Sequence, residues 1–439
     1  MIGAIGIILS LVLIVFFAIN QWSALYGTLI CATIVVFTNS LNWTEAITQS
    51  FLPGMSTFLT NYYGMIILGA LLAKLYGESG AAVSISKGIF NAFCKPEASE
   101  RTKQRMAILI ILIAGGIMTY GGIHVSVLML TLYPLALDIC KQADIPRKFV
   151  IGLIWGSTCT FAMVGPGTPQ LVNVVPMTVL GTPSTAALIP GIVGFLVEMV
   201  VMFFLLDWMF TKEKKSGTGH FEYGPKDIPF DDNTPRPPFI IALLPILTVF
   251  VLFNFVKMNV TAALAIAVPM AIVLFWKQLP KNNIIPLLNS GAAACTSGVL
   301  IMASMTGFAA VIKSTAGFQS FLDAFIAMNL NPYIKVIVCI AGLACLTGAA
   351  STGILLVLPE VAPGFIASGI SANAIHRIAT FSASTLDSLP SCGGLLMLCD
   401  FADIKVKDAY PATFVVSIVA TTLGTIAVTL MLALFPALA

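Results

Sequence analysis

Asp387 stands mid-way along an apolar segment, in the run Ser384-Thr385-Leu386-Asp387-Ser388-Leu389-Pro390-Ser391-Cys392-Gly393-Gly394. A carboxyl group inside hydrocarbon is costly and is usually functional. Here it can carry a proton, or cap the half-helix that begins nearby. Thr385, Ser388 and Ser391 supply hydroxyls around it, and Gly393 leaves the backbone bare for a ligand to approach. Three more runs share this character. In Thr119-Tyr120-Gly121-Gly122-Ile123-His124, the imidazole can bind an anion, titrate with a driving proton, or stay neutral on an exposed carbonyl. Gly165-Pro166-Gly167-Thr168-Pro169 is followed by Gln170 and Asn173, with Thr160 upstream. Those two amides can reach the hydroxyls of a substrate or satisfy broken backbone. The last run is Thr347-Gly348-Ala349-Ala350-Ser351-Thr352-Gly353.

Each run interrupts an apolar stretch and frees backbone N–H and C=O groups. In a bilayer that is tolerated only where protein or a wet cavity receives them. Half-helix N-termini aim partial positive charge at whatever lies there, so a carboxylate is the natural guest. The candidate binding set is therefore Gly121, Gly122, His124, Gly167, Thr168, Gln170, Asn173, Gly348, Ser351, Thr352, Thr385, Ser388, Ser391 and Gly393. Asp387 and His124 are the candidates for proton coupling. The plain alternative is a set of packing kinks, which four paired interruptions disfavour.

These runs must be positioned by membrane helices. Of 439 residues, 58% are hydrophobic and 9% charged, against about 25% charged in soluble domains. The expected class is an all-α polytopic membrane protein. The net charge of +3 is small and scattered, which argues against nucleic acid. The first apolar segment, 2–18, lacks a basic start and reads as a retained helix. The nine cysteines form no CxxC pair and read as small core residues, with Cys392 set apart by its place inside a break.

The sequence says the same thing twice. Ala114-Gly115 aligns with Ala341-Gly342, Gly121 with Gly348, and His124 with Ser351. Segments 106–138 and 332–366 are too long for one span and carry small residues at mid-length, so each reads as a re-entrant hairpin. Segments 149–181 and 375–400 read as spans unwound at their Pro/Gly centres. Basic residues set the orientation: Lys95, Arg101, Lys103 and Arg105 precede the first hairpin, and Lys141, Arg147 and Lys148 follow it. Counting spans from there puts Lys212–Lys215, Lys277, Lys281, Lys405 and Lys407 in the cytoplasm and both termini outside. Lys335 and Arg377 flank the second hairpin externally. The halves then run in opposite directions, as inverted repeats.

The expected organisation is 1–55, N-terminal scaffold helices; 56–210, first repeat; 211–238, a solvated cytoplasmic linker; 239–283, further scaffold helices; and 284–439, second repeat. The unbroken spans near 186–210 and 410–435 also read as scaffold. Asp138, Glu360 and Lys313 fall near helix ends and read as water-facing. Glu198 lies deeper, as a secondary coupling candidate. Trp22, Trp43, Trp208 and Trp276 fall at span ends and read as interfacial anchors.

The run around Asp387 resembles the C-terminal motif of the gluconate permease family, T-L-D-[TS]-L-P-H-N-G. Asp387, Leu389, Pro390 and Gly393 match, while Ser391-Cys392 stands where the family has His-Asn. The family's P-P-x-P-G-P motif corresponds to Val164-Gly165-Pro166-Gly167-Thr168-Pro169. The resemblance covers nearly the whole chain. It implies a proton symporter of a small monocarboxylate such as gluconate, glycerate or 3-hydroxybutyrate, or of D-serine. It also implies a homodimer in the bacterial inner membrane, with a scaffold and a moving elevator domain. The lost imidazole and amide point to a guest with fewer hydroxyls or a different acid. Sodium coupling through unwound carbonyls is the main variant; an anion channel and an intramembrane enzyme are weaker readings. Ser351 and His124 occupy equivalent repeat positions, which pseudo-symmetry explains without catalysis. Neither a metal nor a cofactor is expected, and no GxxxxGK[ST] loop marks a primary pump.

Overall fold

The computed structural model describes residues 2–19, 22–93, 99–123, 125–217, 219–225, 227, 235–280, 283–318, 320, 329–347, 349–390 and 392–439. His124, Gly348 and Ser391 lie outside the described residues. Regular structure among the described residues is helical throughout.

Helices α1 (Ile2–Ile19) and α2 (Ala24–Thr38) form a pair, with the Ser23 hydroxyl accepting from Leu25 N–H at the start of α2. The long helix α3 (Trp43–Glu78) follows, then α4 (Ala81–Phe93). Helices α5 (Glu100–Tyr120) and α6 (Val125–Gln142) meet at Gly121 and Gly122. Gly122 has φ +78°, a left-handed conformation that suits glycine. The first broken span is α7 (Phe149–Val164), which ends in a widened π-turn, then α8 (Leu171–Leu180). Helix α9 (Leu188–Lys215) completes the first half. Helices α10 (Phe239–Asn254) and α11 (Val260–Leu274) lead to α12 (Ile284–Lys313). The second pair is α13 (Pro332–Thr347) and α14 (Ala350–Ala367). The second broken span is α15 (Ala372–Leu386) and α16 (Gly393–Ala402), and α17 (Val406–Leu434) closes the chain.

Two packing groups emerge. In one, α3 crosses α12, α2 packs on α12, and α10–α11 pack together with α11 on α3. A side chain on Gly307 would strike the Phe51 carbonyl at 2.5 Å, so glycine lets these long helices approach closely. In the other, α13 packs on α14 and α15, α5 and α6 on α7, α14 on α8, and α16 on α6. Helices α9 and α17 pack on each other and on the broken spans. The reason is local. A side chain on Gly194 would strike Val428 at 2.2 Å and Phe381 at 2.8 Å, so α9 is pressed against α17 and α15.

The outward faces of α1, α9, α10 and α17 carry exposed Ile8, Val12, Leu196, Phe204, Ile240, Leu247 and Leu430. An apolar outer surface of this kind is what a bilayer requires. Trp22, Trp43, Trp208 and Trp276 are all exposed near helix ends. Part of the linker docks on the helices. The Asp227 carboxylate takes the Arg147 guanidinium at 2.5 Å and the Tyr133 hydroxyl at 2.9 Å. Burial opposes its ionisation, but Arg147, the Gly224 N–H and Tyr133 outweigh that and hold it below the usual carboxylate range. Arg147 also donates to the carbonyls of Ala402 and Asp403, at the end of α16.

Candidate functional site

The second break gathers the charged chemistry. α15 ends at Leu386 because Pro390, which has no backbone N–H, interrupts the ladder just before α16 resumes. That leaves Asp387 2% exposed, between the two half-helices. Ser388 Oγ donates to its Oδ1 at 2.6 Å and itself accepts from Trp155 Nε1 at 2.9 Å. The Ala350 N–H, in the first turn of α14, donates to the same carboxyl. Asp387 thus ties the second break to the tip of the second helix pair and, through Ser388, to α7. Thr385 donates to the Ser382 carbonyl at 2.7 Å. Thr352 is buried and Ser351 half-buried, while Pro390 and Gly393 are exposed.

The first break is closed. Gln170 donates to the carbonyls of Thr119 and Ile123 at 2.9 and 3.0 Å, joining it to the α5–α6 tip. Gly167 has φ +81°, and its carbonyl accepts from Asn254 Nδ2 at 2.9 Å. Tyr120 donates to the Pro166 carbonyl at 2.9 Å. The tip itself is wedged, since a side chain on Gly121 would meet Ile246 at 2.5 Å. Thr168 is buried, and its hydroxyl oxygen has no partner among the described residues.

Two buried residues join the broken spans. Asn173 Nδ2 donates to the carbonyls of Thr168 and Ser184, so its Oδ1 accepts from His376 Nε2 at 2.8 Å. His376 Nδ1 lies 2.7 Å from the Thr182 hydroxyl, so both ring nitrogens are held by hydrogen bonds within the protein. Arg377 is wholly buried. Its Nε and Nη2 donate to the Ala186 carbonyl at 3.0 and 2.8 Å, and Nη1 to Val164 at 3.3 Å. Arg377, read from the sequence as part of the second hairpin's flank, is thus packed inside the protein. The cation sits at the C-terminus of α7, where the helix dipole favours it.

Glu198 is also wholly buried, and neither carboxyl oxygen has a hydrogen-bond partner among the described residues. Lys313 and Glu360, expected to face water independently, pair at 2.7 Å between α12 and α14, each about 30% exposed. Sequence reasoning missed Trp155, His376 and Arg377 as site residues. Pseudo-equivalence of α7 and α15 could have drawn attention to all three, since all lie on the broken spans.

Among the candidate residues, the geometry joins Gly121, Gly122 and Gln170 at one tip, with Gly167, Thr168 and Asn173 beside it. It joins Asp387 and Ser388 to the first turn of α14, where Ser351 and Thr352 lie. Thr385 turns back onto its own helix, and Gly393 starts α16 facing open space.

No protein-family model matches the chain. An uncharacterized transporter of Bacillus subtilis, YxjC, is 25% identical, with 94% of this chain and 96% of that protein aligned. An uncharacterized transporter of Haemophilus influenzae is 20% identical over 89% and 88% of the two chains. The fold is similar to that of the Alcanivorax borkumensis YdaH transporter, with a TM-score of 0.55, 14% identity and 87% of each chain covered. Together with the apolar helices these likenesses support a multi-pass membrane transporter and not an enzyme. They do not single out the gluconate permeases.

Proposed function

We propose that the chain is a secondary active carrier that imports a small organic monocarboxylate with a proton. The observation that carries this reading is the second break. A buried carboxyl, Asp387, sits there beside the first N–H groups of α14 and the open start of α16. Helix N-termini hold carboxylates, and an intramembrane carboxyl carries protons. The guest's carboxylate binds the N-terminal amides and the hydroxyls of Ser351 and Thr352, with Gly393 at the start of α16 and Ser388 holding Asp387 beside them. Gly121, Gly122, Gly167, Thr168, Gln170 and Asn173 are the counterpart set from the first half; His124, Gly348 and Ser391, also candidates, lie outside the described residues.

Inverted repeats are supported by matching contacts: α14 packs on α8 as α6 packs on α16, and α2 packs on α12 as α11 packs on α3. The ends of α5 and α13, Tyr120 and Thr347, fall one residue before the paired Gly121 and Gly348. That pattern extends each repeat to include the helix pair in front of it. The moving unit is then α5–α9 with α13–α17, and the scaffold is α1–α3 with α10–α12, which also supplies the homodimer contact. Both termini lie outside in this reading, in the bacterial inner membrane.

The test is counterflow in proteoliposomes with a panel of hydroxy acids, sugar acids and amino acids, followed by uptake with and without a pH gradient. Stimulation by an inward proton gradient supports the reading. Stimulation by sodium alone, or flux without saturation or counterflow, would replace it by sodium coupling or a channel.

A further inference from the structure

The unpartnered carboxyl of Glu198 has no place in the site as described. It lies on α9, ten residues into a helix that runs Leu188–Lys215. Its Oε2 faces Gly424 on α17, at 3.2 Å from where a side chain there would begin. The Phe381 ring of α15 borders the same point. A carboxylate at this depth with neither hydrogen bonds nor a counter-ion is not tolerated as a bare charge.

Among the described residues, its surroundings offer no cation. Cys159, in the π-turn of α7, and Asp387 are the titratable groups within its electrostatic reach. Arg377 on α15 is engaged with the Ala186 carbonyl, beside Gly191, two helical turns before Glu198 on α9. On α5, Arg105 and Arg101 engage Asp207, nine residues further on, about 13 Å along a helix. Tyr120 of α5 is bonded to Pro166. The part of α17 opposite Glu198 presents Gly424 with the hydroxyls of Thr421 and Thr425, which donate to their own helix. Asp387 follows Phe381 by six residues at the end of α15, about 9 Å along the helix, and two buried carboxyls so placed with no cation between them oppose each other's ionisation.

We infer that Glu198 is a second proton seat, coupled to Asp387 as one titrating pair. Asp387 faces the substrate break, and Glu198 lies away from it between α9, α15 and α17. A proton leaving one seat is favoured by, and favours, occupancy of the other. The moving unit then keeps a proton while the break exchanges substrate. No bond other than O–H forms or breaks, and the protons come from the two aqueous phases. This inference rests on reading Asp387 as the coupling carboxyl.

The test needs no substrate. Infrared difference spectra of the purified full-length protein in lipid, recorded along a pH titration, report each protonated carboxyl by its C=O stretch. Glu198→Gln is nearly isosteric and should fold; Asp387→Asn is the companion. The expected result is that each variant loses one distinct band. In each variant the surviving band should also titrate at least about one pH unit away from its wild-type midpoint, as for a coupled pair. No band lost in Glu198→Gln, or an unmoved Asp387 band, overturns the second seat. No band lost in Asp387→Asn defeats the reading of Asp387 instead, and with it the pair. Glu198→Leu provides a check should the glutamine itself absorb in the same region: it too must remove the band.

Discussion

Replacing Arg377 by methionine should loosen the joint between the two broken spans. The side chain is wholly buried, and its fork serves two carbonyls, Ala186 twice and Val164 once. Methionine fills much of the same volume but leaves both carbonyls without these donors. Each unsatisfied buried group costs about 1–3 kcal/mol. Removing the charge returns part of its desolvation penalty, so the net loss should be about 2–4 kcal/mol. That is a large fraction of a typical folding margin of about 5–15 kcal/mol. Arg377→Lys keeps the charge but lacks the planar fork, and should fall between the two. The assay is thermal unfolding of the detergent-purified protein, followed by the loss of the monodisperse species. A methionine variant that unfolds at the wild-type temperature would refute the clamp.

Three further outcomes are expected. The Asp227 carboxyl is held below its ordinary range, so its contribution is complete above about pH 3.9 and is lost as the pH falls through its lower folded value. Amide protection of 219–225 should therefore be high in wild type at pH 7 and collapse only in acid, whereas Asp227→Asn should lose it several-fold at pH 7; equal protection would remove the latch. Lys313→Cys combined with Glu360→Cys, bridged by a bifunctional thiol reagent, should stop turnover and leave substrate binding intact. Continued transport by the bridged protein would mean that the two packing groups need not move apart. A cysteine added after Ala439 should be labelled from outside intact cells while Ser216→Cys is not, and the reverse would invert the topology.

The interruptions were legible in the sequence because glycine and proline act locally. Tyr120, Thr347 and Leu386 end helices next to Gly121, Gly348 and Asp387, where the residue pattern puts the breaks. The burial of Asp387 was legible because it falls mid-way along an apolar run. The burial of Arg377 was not legible, because charge counting does not tell a solvated arginine at the edge of an apolar stretch from a packed one. Only the carbonyls freed at Val164 and Ala186, more than 180 residues away in sequence, make its burial possible. Likewise the neighbours of α9 and α17 were not legible, because an unbroken apolar helix reads the same whichever neighbour it meets. Gly194 and Gly424, which bring them against Phe381, carried the missing signal. Glu198 was visible as a deep charge, but its want of partners is a property of three packed helices.

Concentrative uptake by Asp387→Asn is the measurement that reaches the central claim. Wild-type and variant protein would be reconstituted into liposomes with an inward proton gradient, using the acid identified by counterflow. The wild type should accumulate the acid above its external concentration and bring protons in with it. Asp387→Asn should still fold, yet accumulate nothing when the gradient is applied. Undiminished accumulation with undiminished proton entry in Asp387→Asn would contradict the account.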